Sequence, residues 1–286
     1  MFTKASASAS RINEVLKMKS SIVENSNVLL ENSSDKMIEF KDVTFRYSDS
    51  GDAVLQNISF IINKGETVAV IGGTGSGKST MINLIPRFYD VSPGTVLVDN
   101  NDVKNYSIEA LRKLISIVPQ KIELFTGTIA DNLKFGNDNA SIGELKKAAE
   151  IAQASEFINN LKDGYDTIVE RGGANFSGGQ KQRLSIARAL AKKSDILILD
   201  DSSSALDLAT DAALRHAISE EFEDLTVIVV SQRASSVKSC DKIILFDDGK
   251  IVGFGKHDEL ARSCGVYREI LKSQLSDEEA AVSYEK

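Results

Sequence analysis

The nine residues GGTGSGKST, Gly72 to Thr80, follow the apolar run ETVAVI and precede a segment in which Met81, Ile82, Leu84 and Ile85 recur at helical spacing. A strand, a glycine-rich loop and a helix in that order fit G-x-x-x-x-G-K-[ST], a phosphate-binding pattern, and point to an α/β fold. Glycines suit the loop because the backbone must wrap around phosphate oxygens and aim its N–H groups inward. Gly72, Gly73, Thr74, Gly75, Ser76 and Gly77 form the cradle and Thr80 closes the motif. Lys78 brings a point charge to the terminal phosphates, Ser79 offers a hydroxyl to Mg2+, and the helix N-terminus adds partial positive charge. Pro86 stops that helix.

Two further apolar runs, DILILDD and LTVIVVSQ, read with ETVAVIGG as strands of a parallel sheet covered on both faces. Asp200 ends the first of them, where its carboxylate can hold the same Mg2+ as Ser79. MIEFKDVTFRY and VLQNISFII, separated by the turn residues SDSGD, predict an antiparallel hairpin, and KIILFDDGKIV predicts another with DDGK as its turn. Residues from about 120 to 191 are rich in helical patterns and read as a helical subdomain inserted between sheet strands. Before the first hairpin, Ile12, Val15, Leu16, Ile22 and Val23 suggest an amphipathic helix that fades into the polar linker ENSSDK. The expected division is therefore 1–36 for helix and linker, 37–273 for the nucleotide-binding domain, and 274–286 for a solvated acidic tail.

Bulk properties narrow the function classes. A net charge of -7 and a pI near 5.1 argue against a nucleic-acid surface, which needs clustered Lys and Arg. Cys240 and Cys264 stand at no metal-ligand or redox spacing and suit a reduced cytosolic protein. No apolar run approaches the roughly 18 residues that a membrane span requires, and the N-terminus lacks the apolar centre of a secretory signal.

NFSGGQKQRLSIARAL, Asn175 to Leu190, resembles the signature motif of ATP-binding cassette (ABC) ATPases. Ser177, Gly178, Gly179 and Gln180 open a helix whose N-terminus, hydroxyl and bare backbone N–H groups suit an anion. In the family that anion is the γ-phosphate of ATP held by a second subunit. The resemblance runs over residues 37 to 273 and implies an ABC ATPase fold: a mixed sheet core, an antiparallel β subdomain and the inserted helical subdomain. It further implies that Tyr47 stacks on adenine, that Gln120 reaches the metal and the attacking water, and that Ser204 to Asp207 form a loop addressing the opposite subunit. Ser79, Gln120 and Asp200 are thus the expected metal set, with ATP and Mg2+ as the bound species. KIELFTGTIADNL, HDELARSCGVYREILKSQ and ASASASRINEVL look like ABC exporters in particular. That implies membrane-spanning partner domains, a second nucleotide-binding subunit, and a place on the cytoplasmic face of the membrane.

Two positions depart from the hydrolytic pattern. Asp201 stands where the family usually has a glutamate that polarises water, and Gln232 where it usually has a histidine contacting the γ-phosphate. Losing one methylene withdraws the carboxylate by roughly 1 Å, a displacement able to cost on the order of 100-fold in rate. Gln232 carries no charge. The sequence therefore predicts a chain that binds Mg-ATP, hydrolyses it weakly at its own site, and completes the site of a different partner through an intact signature. A module that clamps ATP without turnover is the alternative reading.

Overall fold

A computed structural model describes residues 2–18, 20, 22–24, 34–48, 50–202, 205–231 and 237–274. Helix α1 (Phe2–Lys17) precedes the strands β1 (Lys36–Phe45), β2 (Leu55–Asn63) and β3 (Thr67–Gly72). The short helix α2 (Lys78–Leu84) leads to β4 (Thr95–Val98), β5 (Asn101–Asp102), α3 (Ile108–Lys113) and β6 (Ile115–Val118). Next come β7 (Gly127–Thr128), α4 (Ile129–Lys134), α5 (Ile142–Ile151), α6 (Ser155–Asn159), β8 (Ile168–Val169) and α7 (Gly178–Ala191). The chain returns through β9 (Ile196–Asp200), α8 (Leu208–Glu221), β10 (Thr226–Val230) and the hairpin β11 (Lys242–Asp247) and β12 (Lys250–Gly255). Helices α9 (His257–Ser263) and α10 (Gly265–Gln274) follow.

The main sheet runs β12-β11-β3-β10-β9-β6, parallel throughout except for the antiparallel edge strand β12. Its inner strands β3, β10 and β9 are almost continuously apolar because successive side chains enter opposite cores. Ile196 and Ile198 of β9 join the core shared with α2 and the antiparallel sheet β2-β1-β4-β5, and Leu197 and Leu199 join the core under α4, α5, α7 and α8. A third cluster seats Tyr267 and Leu271 of α10 against Ala69, Ile71 and Leu245.

Both expected hairpins form, and β3, β9 and β10 are parallel neighbours. The helical block also carries a small antiparallel pair, β7 with β8, too short to show a strand period in the sequence. Helix α1 stops at Lys17, so Ile22 and Val23 lie beyond it, against expectation. The Val23 carbonyl instead accepts a hydrogen bond at 3.0 Å from the buried guanidinium of Arg87, and Glu24 accepts one from the Ile108 N–H. Ile12, Val15 and Leu16 are exposed on α1. Of the linker, residues 31–33 lie outside the described residues, as do 275–286 of the tail.

The DDGK turn does more than join two strands. Asp248 and Gly249 both take positive φ, 42° and 73°, as a tight hairpin turn with right-handed twist requires. Gly249 N–H donates to Ser76 O at 3.2 Å and its carbonyl accepts from Gln56 N–H at 2.8 Å, so the turn buttresses the glycine loop. A Cβ at Gly249 would stand 2.5 Å from Val54 O. Gly249→Val is expected to cost about 1–3 kcal/mol, a drop in thermal midpoint of roughly 2–4 °C per kcal/mol for a domain of this size. An unchanged unfolding curve would show that the turn is not anchored there.

Candidate functional site

Strand β3 delivers the glycine loop and α2 carries it away, so the loop stands at the carboxyl end of the parallel sheet, where open α/β sheets bind ligands. At Gly72 the backbone passes so close to β11 that a Cβ would fall 2.2 Å from Phe246 O. Gly73 and Gly75 face the other way, with nothing within 4 Å of a built Cβ, which leaves their backbone open to a ligand. Lys78 is buried, and its ammonium donates to Gly72 O at 2.9 Å, Gly73 O at 2.6 Å and Ser76 Oγ at 3.3 Å. Burial pushes its pKa down, while Asp200 and Asp201 push it back up.

Two adjoining cavities follow the loop. One, of about 200 Å3, is bounded by Val54, Gly75, Lys78, Ser79 and Thr80. The other, of about 110 Å3, brings Lys78 and Ser79 together with Thr74, Gln120, Asp200 and Asp201. Residues as far apart in sequence as Thr74 and Asp201 thus meet around one small volume. Asp200 reaches it from the end of β9. Burial raises the pKa of its carboxyl, the neighbouring Asp201 charge adds to the rise, and Lys78 opposes it. Asp201 sits in the left-handed region at φ 48°, tied to β10 by a 3.0 Å bond from its N–H to Val230 O. Its carboxylate accepts a hydrogen bond from Gln120 Nε2 at 3.2 Å.

A hydroxyl, an amide oxygen and a carboxylate around one cavity are the hard oxygen donors that Mg2+ takes, and the ion ordinarily completes its shell with water and phosphate oxygens. Ser79, Gln120 and Asp200 therefore fit such an ion. No cluster of three or more His, Cys, Asp or Glu able to hold a metal occurs among the described residues. A roomier cavity of about 680 Å3 lies under α8, beside the Asp211–Arg215 ion pair and at the opposite ends of the strands. It includes no part of the glycine loop.

Tyr47, just beyond β1, lies at the other end of the loop, 55% exposed, with its hydroxyl 2.9 Å from Thr80 Oγ1. Ser177 caps α7 in a reciprocal box: its Oγ accepts from Gln180 N–H at 3.3 Å, and its own N–H donates to Gln180 Oε1 at 2.9 Å. Ser177 and Gly178 are exposed, and none of Ser177 to Gln180 lines either cavity of the glycine loop. Asp207 caps α8 through Thr210, whose N–H and hydroxyl donate to it at 2.9 and 2.8 Å and hold its pKa down. Ser204 and Gln232 lie outside the described residues. Sequence reasoning missed Ser231, which lines the smaller cavity. The register Val230↔Asp200 places it one step past the metal aspartate's neighbour, a relation that follows only once β9 and β10 are paired.

Fold and site together define an α/β nucleotide-binding domain. The ABC transporter family model matches residues 55–204, more than half of the 286 residues, and the chain belongs to that family. It is 43% identical over 281 residues to an uncharacterized ABC transporter ATP-binding protein, YfiB, of Bacillus subtilis, covering 97% of this chain and 48% of that one. It is also 43% identical over 244 residues to the ATP-dependent lipid A-core flippase of Hahella chejuensis, covering 85% and 42%. A solved bacterial Atm1-family ABC exporter with ATP bound superposes with a TM-score of 0.90 at 32% identity, over 96% of this chain and 48% of that one. The chain spans about half the length of the relatives it matches.

The raised pKa of Asp200 has a testable sign. A carboxyl whose folded-state pKa is raised adds stability below its unfolded pKa and loses it as pH rises through the folded value. At neutral pH the ionised Asp200 therefore strains the nucleotide-free fold. Asp200→Asn is expected to raise the thermal midpoint at pH 7, with the gap to wild type closing toward about pH 4, and to remove the Mg2+ dependence of ATP binding. Thermal scans across pH and calorimetry with and without Mg2+ check both. A lowered midpoint at pH 7 would overturn the assignment of strain.

Proposed function

We propose that this chain is the nucleotide-binding part of an exporter, closing around ATP against a second and different nucleotide-binding subunit to drive membrane-spanning domains from the cytoplasmic face. The relatives named flippases and the Atm1-family exporter support export. No helix among the described residues is long and apolar enough to cross a membrane, so in this reading cargo is chosen elsewhere in the assembly. The amphipathic α1 and the linker to Lys36 form the connection to those membrane domains.

The observation that carries the reading is a mismatch between the glycine-loop site and the Ser177 cap of one chain. The binding apparatus is complete: glycine loop, Lys78, Ser79 and Asp200 converge. The position for activating water holds the short carboxylate Asp201, already engaged by Gln120. Gln232 follows in sequence where a γ-phosphate contact is expected. The Ser177 cap is intact and lines neither cavity of this chain's glycine loop. In this reading Lys78, the backbone N–H groups and Thr80 bind the phosphates, and Ser79, Asp200 and Gln120 hold Mg2+, which neutralises phosphate charge. Asp201 orients water poorly, and Ser177 serves the ATP of the partner.

Two measurements test it. Steady-state phosphate release by this chain alone should stay at least about 100-fold below a median enzyme turnover of roughly 10 per second, and Asp201→Glu with Gln232→His should raise it. Turnover near the median in the unaltered chain would show that the shorter carboxylate suffices. In a co-expressed mixed dimer, Ser177→Arg should slow hydrolysis by about 10- to 1000-fold, the range for loss of a preorganised anion donor. A fully active mixed dimer would remove the cross-subunit role and favour a clamp that binds without turnover.

A further inference from the structure

We infer that the Tyr47 hydroxyl is a positioning group for the triphosphate, acting through its 2.9 Å hydrogen bond to turn the Thr80 hydroxyl proton into the phosphate cavity. This rests on the nucleotide-binding reading above and assigns Tyr47 a role separate from any contact of its ring with a base. Thr80 is 6% exposed and lines the cavity of about 200 Å3 beside Gly75, Lys78 and Ser79. The cavity holding Asp200 and Gln120 shares Gly75, Lys78 and Ser79 with it but not Thr80. The groove thus has a metal end and a Tyr47 end, and Thr80 belongs to the latter.

The chemistry follows from counting protons. A hydroxyl has one proton and two lone pairs, and a phosphate oxygen offers only lone pairs. If Thr80 spent its proton on Tyr47, a phosphate in the cavity would meet a hydroxyl oxygen with nothing to donate. The phenol, the more acidic of the two, instead gives its proton to Thr80 Oγ1, and the threonine proton is released toward the cavity. Such a relay also polarises the second donor. The geometry holds the phenol in place: the Tyr47 ring stands at 86° to Phe45, 5.0 Å away, and at 86° to Tyr89, 5.2 Å away. Threonine's β-branch restricts its own rotation inside α2.

Tyr47→Phe keeps the ring and removes only the hydroxyl. Calorimetry on the full chain with Mg-ATP, and separately with Mg-tripolyphosphate, which has no base, should show both ligands weakened by the same factor. That factor is about 3- to 10-fold, the net value of one hydrogen bond. In a Thr80→Val background Tyr47→Phe should cost nothing further, whereas in Thr80→Ser, which keeps the hydroxyl, its full cost should return. Thermal midpoints of the variants monitor folding, and the tripolyphosphate arm with Tyr47→Phe alone stands even where a Thr80 variant unfolds. Unchanged binding of tripolyphosphate by Tyr47→Phe overturns the proposal and leaves a purely ring-based role. An equal loss in the Thr80→Val background overturns the relay through Thr80. If the unaltered chain binds ATP and loses it with Lys78→Ala, the nucleotide-binding reading survives either of those results. If the unaltered chain binds no ATP, that reading falls first.

Discussion

A buried ammonium and a half-buried carboxylate, Lys78 beside the end of β3 and Asp200 at the end of β9, meet at one cavity across β10. Each is penalised by desolvation, and each is partly compensated by the other's charge. Neither charge would be tolerated there without the parallel register that fixes β3, β10 and β9 side by side, nor without the loop carbonyls of Gly72 and Gly73 that hold the lysine. Under the proposed function a polyanion carrying its own divalent cation would satisfy both groups, the anion Lys78 and the cation Asp200. Much of the remaining structure can be understood as what keeps those two groups at their separation.

The sheet does this by being buried twice. Alternate residues of β9 enter different cores, one built from α2 and the antiparallel sheet, the other from the helical block. A shift of β9 by one residue would exchange the two sets and move Asp200 off the cavity. The hairpin β11–β12 adds a brace from outside the βαβ unit, since Gly249 bonds both Ser76 and Gln56. On the other side Gln120 leaves β6 and reaches Asp201, so the first residues of the helical block feel the state of the β9 terminus directly.

Much of this was legible locally. The glycine loop, the apolar strands, the DDGK turn and the Ser177 cap are each specified within about ten residues, and the structure places all of them as read. Where the sequence misled, a distant partner intervened. The apolar spacing that continues to Val23 suggested a longer helix, yet Arg87, 64 residues away, takes the Val23 carbonyl and holds the segment outside α1. Asp207, expected in a loop addressing the opposite subunit, has in addition a local role, its carboxylate accepting from the N–H and hydroxyl of Thr210 at the start of α8. A D-x-x-T step before a helical run is an N-cap signal that could have shown this. The Tyr47–Thr80 and Gly249–Ser76 contacts join segments far apart in the chain and have no sequence period at all.

The cap of α7 bears on how a helix end can be stabilised and still offer donors to an anion. Helix N-termini leave their first N–H groups without intrahelical partners. At α7 the reciprocal box satisfies two of them, Ser177 N–H through the Gln180 side chain and Gln180 N–H through the Ser177 hydroxyl. What remains at the tip is the N–H of Gly178 and of Gly179, together with the proton of the Ser177 hydroxyl, whose oxygen is the acceptor within the box. Gly178 has open space where a side chain would stand, so an incoming oxygen meets backbone and not a Cβ. The box therefore stabilises the helix end while leaving three donors and the positive end of the dipole directed outward. These residues line neither cavity of the chain's own glycine loop, and under the proposed function the anion that meets them would be the phosphate of a partner's nucleotide, with the helical block as the part of this chain that senses it.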